Sequence, residues 1–493
     1  MSSSEPRLAR SRILLPCVWM LLALLVFAGF FHLGADFPNH SRWVDDAAKF
    51  TDEGWYAAGA LNHSLTGHWL RQGDFNPVVT IPVWSLILAT IFHFTGISIV
   101  AARSIAFLFT LGTVLIGGEL LARGHRHLAP IFMLLLLSSP ILYAFSRIAI
   151  LEPALLFFIS AAALAAYSPP KTSSPRLILS GILFVIAMLT KSSAVFAGPA
   201  ILYLIWFQNR SDQRQGRRHL IRSLAIPILT VITAYGFYWL LAVRTHPVDV
   251  RVLYGQNIPY LGIKSIPKAV RILYRSFTWI DPVLFPIAAV AVVMSFTRRF
   301  RTLWQDPLFG FAVIAYVGYS GFLLLHFDAG PRYFAVLVLP VMLVLLLFLN
   351  ILQRNMPKAA KALAFIIFLT VAANIYQIIR MLHHPDYTLR DADLAIQRQI
   401  ESDPSATRLV IGHGALESTF ITHIPALDDL GETPVAQKLA IDHPGWLVTY
   451  SDNLDLTTRP GVPDSFVFTQ TGKYPVLDNP SRQYLLLYRI QPK

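Results

Sequence analysis

The stretch FTDEGWYAAGA, Phe50 to Ala60, sets two carboxylates side by side at Asp52 and Glu53. Adjacent side chains point in different directions, so at most one of the pair faces a given pocket. A partly desolvated carboxylate can take a proton from a hydroxyl or an amine as a general base. The alternative is a solvated acidic loop, because Asp45, Asp46 and Asp74 lie nearby and surface acids are ordinary. A second acid, Glu152, follows Arg147 in AFSRIAILEPALLFF. There Pro153 suits the first turn of a helix, and an acid at that position is favourable in any protein.

Cations recur beside apolar runs. Lys191 in AMLTKSSAVF is flanked closely by membrane-like sequence, a costly position unless the amine is paired or reaches the interface. It reads either as an interfacial anchor or as a phosphate ligand. Arg332 and Tyr333 lie in HFDAGPRYFAVLVLP; the arginine fork suits phosphate, while a snorkelling Arg with a belt Tyr is the plain alternative. His326 and Asp328 in the same turn are too few ligands to specify a metal. In IKSIPKAVRILYRSF, Lys264, Lys268, Arg271 and Arg275 are spaced to share one face of a helix. That pattern predicts a basic amphipathic helix at a membrane surface.

The elements that must position these groups are membrane helices. The chain has 493 residues, 55% hydrophobic and 14% charged, where soluble domains run near a quarter charged. The net charge of +13 fits Lys and Arg gathered in cytoplasmic loops better than nucleic-acid binding. Cys17 is the single cysteine, which excludes an internal disulfide and a thiolate metal site. Apolar stretches long enough to span predict about eleven crossings, from an uncleaved first span near 13–34 to a last near 362–380. Six basic clusters, from Arg7/Arg10/Arg12 to Arg354/Lys358/Lys361, all fall on one side only if the apolar run Val78–Phe94 does not cross. It then lies along the outer face. Asp52, Arg147, Glu152, Lys191, the 244–281 loop, Arg332 and the tail from about residue 381 share that face. The tail changes character, with β-like runs RLVIGH, GWLVTY, DSFVFTQ and YLLLYRI between helix-like stretches, and predicts a small α/β domain.

Taken in order, these pieces resemble the GT-C glycosyltransferases that use polyprenyl-phosphate sugars, in their aminoarabinose-transferase-like and protein-mannosyltransferase-like branches. The residues carrying the resemblance are Asp52-Glu53-Gly54-Trp55-Tyr56, the segment RQGDFNPVVTIPVWSLILATIFHFTG, Gly96–Ser104, SRIAILEPALLFF, LTKSSAVFAGPAIL and PRYFAVLVLP. Together they cover roughly residues 10–380. Two positions depart from the pattern: the second acid is Glu152 where Asp is usual, and Asn76 stands where the aminoarabinose branch has Lys. The resemblance implies an all-α polytopic transferase domain over 1–380, with residues 35–97 as a first outer loop carrying juxtamembrane helices, and an extracytoplasmic α/β domain over 381–493. It implies an inverting transfer with Asp52 as base. Lys191, Arg271 and Arg332, with Arg147 behind them, would hold the lipid phosphate; Glu53 and Glu152 would orient acceptor or cations; Tyr56 and Tyr333 complete the site. The partners implied are a polyprenyl-phosphate sugar, a lipid, glycan or protein acceptor, and membrane lipids, with no nucleic acid. No cofactor is required, although a divalent metal could assist. The setting implied is a bacterial plasma membrane, multi-pass, with the site and tail on the periplasmic side. A secondary transporter, an O-antigen-type ligase and a non-catalytic scaffold are the rival readings.

Overall fold

A computed structural model of the chain describes residues 5–493 other than 38, 40, 42, 44, 45, 47, 49, 72, 169–171, 211–215, 252–264, 327–329, 430–432, 454 and 477–481. Helix α1 (Glu5–Gly29) leads into a long loop, where α2 (Asp52–Thr66), α3 (Pro77–Thr80) and α4 (Pro82–Thr95) follow. The bundle continues through α5 (Ile99–His125), α6 (Ala129–Leu137), α7 (Pro140–Ser146), α8 (Leu151–Ala166), α9 (Ser174–Thr190), α10 (Gly198–Asn209) and α11 (Gly216–Tyr238). It closes with α12 (Ser265–Arg275), α13 (Leu284–Met294), α14 (Pro307–Leu325), α15 (Pro331–Ala335), α16 (Val338–Asn355) and α17 (Pro357–His383). Helices meet every predicted apolar stretch. Among the described residues five are individually long and apolar enough to cross a membrane, or six if the pair α7–α8, bent by 110°, counts as one span. The full count of eleven is not reached by that measure. Helix α4 has 14 residues, about 21 Å at 1.5 Å per residue, too short to cross a ~30 Å hydrocarbon core.

Local chemistry explains the breaks that shape this loop. Helix α2 opens with two acids in its first turn, which the helix dipole favours, and closes on Gly67 at φ 78°, a left-handed cap that glycine adopts without strain. Asn76 caps α3 by accepting from the Val78 amide at 3.0 Å. Helix α16 is apolar on all sides and buried from Val338 through Phe348, as expected of a helix at the centre of a bundle.

The tail carries α18 (Thr388–Glu401), α19 (Ala415–Thr422), α20 (Val435–Asp442), α21 (Val462–Ser465) and strands β1 (Val410–Ile411), β2 (Ala426–Leu427), β3 (Trp446–Tyr450), β4 (Phe466–Pro475) and β5 (Tyr484–Pro492). The sheet order is β2-β1-β3-β5-β4. Strand β1 runs parallel to β2 and β3; β5 is antiparallel to β3 and β4, with Val448 opposite Leu487. Alternation along β3 sends Trp446, Val448 and Tyr450 to one core, with α18, and Leu447 to the other, with α20. All four predicted strand runs are strands; β2, two residues long, has no period to read.

Phe50, from the long loop after α1, belongs to the first of those tail cores. A clasp extends from it. Tyr450 Oη donates to the Phe50 carbonyl at 2.9 Å, and Trp55 Nε1 donates to Asp428 Oδ2 at 3.1 Å. Lys438 Nζ donates to Asp74 Oδ1 at 2.5 Å. A Cβ on Gly54 would lie 2.3 Å from the Glu417 backbone nitrogen, so α2 and α19 approach this closely only because residue 54 has no side chain.

Candidate active site

Helix α2 begins at the mouth of the bundle, so its first two residues project apart, as adjacent residues on a helix must. Asp52 turns toward α15. There Arg332 Nη2 lies 2.6 Å from Asp52 Oδ2. The same guanidinium donates through Nη1 to Asp46 Oδ1 at 2.6 Å, and the Arg332 amide donates to Asp46 Oδ2 at 3.1 Å. Glu152, in the first turn of α8, sits 3.9 Å from Arg332 Nε and accepts from Lys191 Nζ at 2.5 Å. The Lys191 ammonium lies 4.3 Å from the Tyr333 ring centre, a cation–π contact. Three carboxylates thus face two cations in one small cluster.

Its electrostatics follow from burial. Arg332 is largely buried, and the carboxylates of Asp52 and Asp46 offset the cost of holding its charge there. Burial, then the charge of Asp52, pushes the Tyr56 phenol well above its ordinary value. Tyr56 therefore keeps its proton at neutral pH.

Beside the cluster runs a groove of ≈ 1730 Å³, mouth included, that touches α2, α4, α9, α11 and α14. Its polar end holds Lys191, Tyr333, Tyr56, Ser192, Ser193 and His326. Its walls are Met188, Leu189, Phe196, Tyr235, Tyr238, Trp239, Phe322 and Leu325. Helix α11 closes one side because Tyr238 Oη donates to the Val78 and Val79 carbonyls at 2.9 and 3.0 Å. An amphiphile with an anionic head and an apolar tail matches this division.

The structure brings together Asp52, Glu152, Lys191, Arg332, Tyr333 and Tyr56, but not the other three candidates. Glu53 points the opposite way, into a sealed pair. Arg103 reaches its two oxygens through Nε at 2.8 Å and Nη2 at 2.5 Å, and the Ala149 amide donates at 2.6 Å. Arg147 turns back to the first span, where it donates to Tyr143 Oη at 2.9 Å and to the Phe31 carbonyl, and lies over the Phe37 ring at 4.4 Å. Arg271 is exposed on α12. Lys268 on that helix donates to the His326 carbonyl at 2.5 Å, and Lys264 lies outside the described residues. Ile272 packs into the bundle core, while Ile266, Val270 and Leu273 of α12 face outward, Ile266 being 82% exposed, where a lipid surface would cover them. Asp328 lies outside the described residues, and among those described no group of three His, Cys, Asp or Glu is placed to hold a metal ion.

Two residues in these networks carry no role on sequence alone. Asp46 was one acid of an acidic loop; its partner is 286 positions away. Arg103 stood inside the Gly96–Ser104 stretch. Its signal was present, since a guanidinium in an apolar span requires a partner.

A family model described as dolichyl-phosphate-mannose-protein mannosyltransferase matches residues 82–243. Among curated proteins no sequence match is found. Among solved structures the chain is similar to ArnT from Cupriavidus metallidurans bound to undecaprenyl phosphate, with 13% identity, TM-score 0.59, and 95% of this chain and 97% of that one covered. It is also similar to the Archaeoglobus fulgidus oligosaccharyltransferase tethered to an acceptor peptide, with 11% identity, TM-score 0.50, and coverage of 95% and 74%. A third, the mycobacterial arabinofuranosyltransferase AftD, shows 13% identity and TM-score 0.51, with 96% of this chain and 40% of that one covered. The fold is that of the GT-C glycosyltransferases, and the resemblance read from the sequence is met by both the family model and the fold.

Proposed function

We propose that the protein moves a sugar from a polyprenyl-phosphate donor to an acceptor at the outer face of a membrane. The observation that carries this reading is the junction of Lys191 and Tyr333, at the polar end of an apolar-walled groove, with the Arg332–Asp52 pair beside them. The groove takes the prenyl tail. Lys191 and Arg332 take the phosphate, whose charge grows as it leaves. Asp52 removes the proton from the acceptor hydroxyl or amine. The acceptor atom bonds to the anomeric carbon from the face opposite the phosphate, the carbon–oxygen bond to phosphate breaks, and its electron pair stays on the phosphate. Configuration therefore inverts. Glu152 orients Lys191, and Tyr56 donates a hydrogen bond within the site. Undecaprenyl phosphate, the ligand bound to ArnT, supports a lipid-phosphate donor, and the acceptor peptide of the oligosaccharyltransferase supports a separate acceptor.

Glu53 is assigned to positioning, because its pair with Arg103 fixes the first turn of α2 and so the direction of Asp52. Arg147 and Arg271 are assigned to the loop frame and the lipid surface. The side of the membrane is assigned from the basic clusters. At the end of the bundle away from the site, Arg299 donates to the Asn355 carbonyl at 2.6 Å and Arg123 to the Leu164 carbonyl at 3.1 Å. Such an end belongs to the cytoplasm by the positive-inside rule, leaving the site and the tail domain, from about residue 381, in the periplasm of a bacterium.

The test is a panel of polyprenyl-phosphate sugars given to the purified protein in lipid, with envelope extract as acceptor. Acceptor-dependent release of polyprenyl phosphate, lost in Asp52→Asn, is the expected result. Transport of a small solute with no release from any donor would replace this reading with a transporter.

A further inference from the structure

Arg332 is gripped unequally by two acids. Asp46 uses both oxygens. Oδ1 accepts from the guanidinium and from the Ala48 amide at 2.9 Å, and Oδ2 accepts from the Arg332 amide. Its side chain is 1% exposed. A Cβ on Gly330 would lie 2.9 Å from Asp46 Oδ2, so the loop entering α15 is fitted around this carboxylate. Asp52 holds the guanidinium through one oxygen only, and its side chain is 18% exposed. Its other oxygen accepts from the Thr51 hydroxyl at 3.2 Å. An anion competing for Arg332 meets far less resistance from Asp52 than from Asp46. In the pair, the Arg332 guanidinium 2.6 Å from Asp52 Oδ2 offsets the negative charge of Asp52, and that charge draws a proton from an acceptor more strongly once the guanidinium has moved away. The charge balance gives the same direction: with three carboxylates already around two cations, a phosphate gains a full share of Arg332 only if one carboxylate gives up its own.

We propose that Arg332 is a substrate-operated guard on Asp52: the donor's phosphate draws the guanidinium away from Asp52 while Asp46 keeps it anchored, so the base is uncovered only when the donor is seated. This rests on the function proposed above and adds an order to it, donor before deprotonation of the acceptor. It also assigns Asp46 as a positioning residue. Lys191, held by Glu152 and the Tyr333 ring, stays at the groove and supplies the fixed half of the phosphate site. When the leaving polyprenyl phosphate departs, Arg332 returns to Asp52 and the site resets.

The guard makes the two acids opposite in sign. Asp52 competes with phosphate for Arg332, so Asp52→Asn binds polyprenyl phosphate more tightly, by about tenfold for removal of one close charge. Asp46 aims Arg332, so Asp46→Asn binds it more weakly. The measurement is equilibrium binding of polyprenyl phosphate to the purified full-length protein, followed by tryptophan fluorescence because Trp55 and Trp239 line the groove. Uncharged polyprenol serves as the control, and Asp52→Glu is included to keep the charge. Tighter phosphate binding in Asp52→Asn, near wild-type binding in Asp52→Glu and unchanged polyprenol binding support the guard. A gain of affinity cannot come from misfolding. Equal or weaker phosphate binding in Asp52→Asn, or equal tightening toward polyprenol, overturns the guard and leaves the donor reading standing. No phosphate binding by folded wild-type protein overturns the donor reading itself.

Discussion

Asp52 and Glu53 are neighbours in one helical turn, and their surroundings differ in almost every physical respect. Asp52 shares Arg332 with two other acids at the edge of a groove. Glu53 is fully buried with Arg103, which also donates to the Leu33 and Ala35 carbonyls at 2.8 and 2.6 Å. The first cluster has more acid than base, and one of its pairs faces open space. The second is closed, bidentate, and tied to the tail domain because Glu417 Oε2 accepts from the Gly54 amide at 2.7 Å. A pair of carboxylates in sequence thus divides into one that borders the groove and one sealed in the frame, and in the proposed function the first does the chemistry while the second holds it still.

The widest break in the comparison comes from exchanging charge for amide at each position. Asp52→Asn is expected to lower transfer by about 10²- to 10⁴-fold, the range of a lost general base, with the melting temperature unmoved. Glu53→Gln leaves Arg103 buried without its counter-charge, and the expected loss is about 3–5 kcal/mol of stability. Thermal unfolding of both variants beside their transfer rates checks the assignment, and a stable but inactive Glu53→Gln would return that residue to the chemistry. A narrower test separates the clasp from the cluster. Gly54→Ala drives a methyl into the Glu417 backbone and should cost about 1–3 kcal/mol. Faster proteolysis of the tail domain is the expected readout, and unchanged cleavage would mean that the clasp does not hold the tail.

The smallest effect concerns pH. Burial pushes the Asp393 carboxyl up to about 8, against the Ser418 hydroxyl that donates to it, with Asp36 adding to the rise. Glu417 is likewise raised, by burial and then by the charge of Glu53. In the unfolded chain Asp393 loses its proton near the usual carboxylate value, while the folded domain keeps it to about pH 8. The unfolded state therefore binds fewer protons across that window, and stability falls as pH rises from about 4 to about 8. Asp393→Asn should flatten the slope and raise the melting temperature most at the alkaline end. An unchanged profile would show that Asp393 titrates as an exposed acid does.

Much of this was legible in the sequence because water and hydrocarbon impose simple rules on it. Apolar length marked the helices, and short β-branched and aromatic runs marked strands such as β3, where Trp446, Leu447, Val448, Thr449 and Tyr450 are all buried. Those rules also placed Asp52, Glu152, Lys191 and Arg332 on one face, which limited their possible partners. What the sequence could not decide was which of them meet. Asp46 and Arg332 are 286 residues apart, Glu53 and Glu417 each complete a network begun elsewhere in the chain, and Arg147 lies one short turn from Glu152 yet faces the first span. Hydropathy sets the depth of a residue, but it carries no information on the rotation of a helix about its axis or the path of a loop. Those come from packing against every other element at once, and they alone turned Asp52 toward Arg332 and Glu53 toward Arg103.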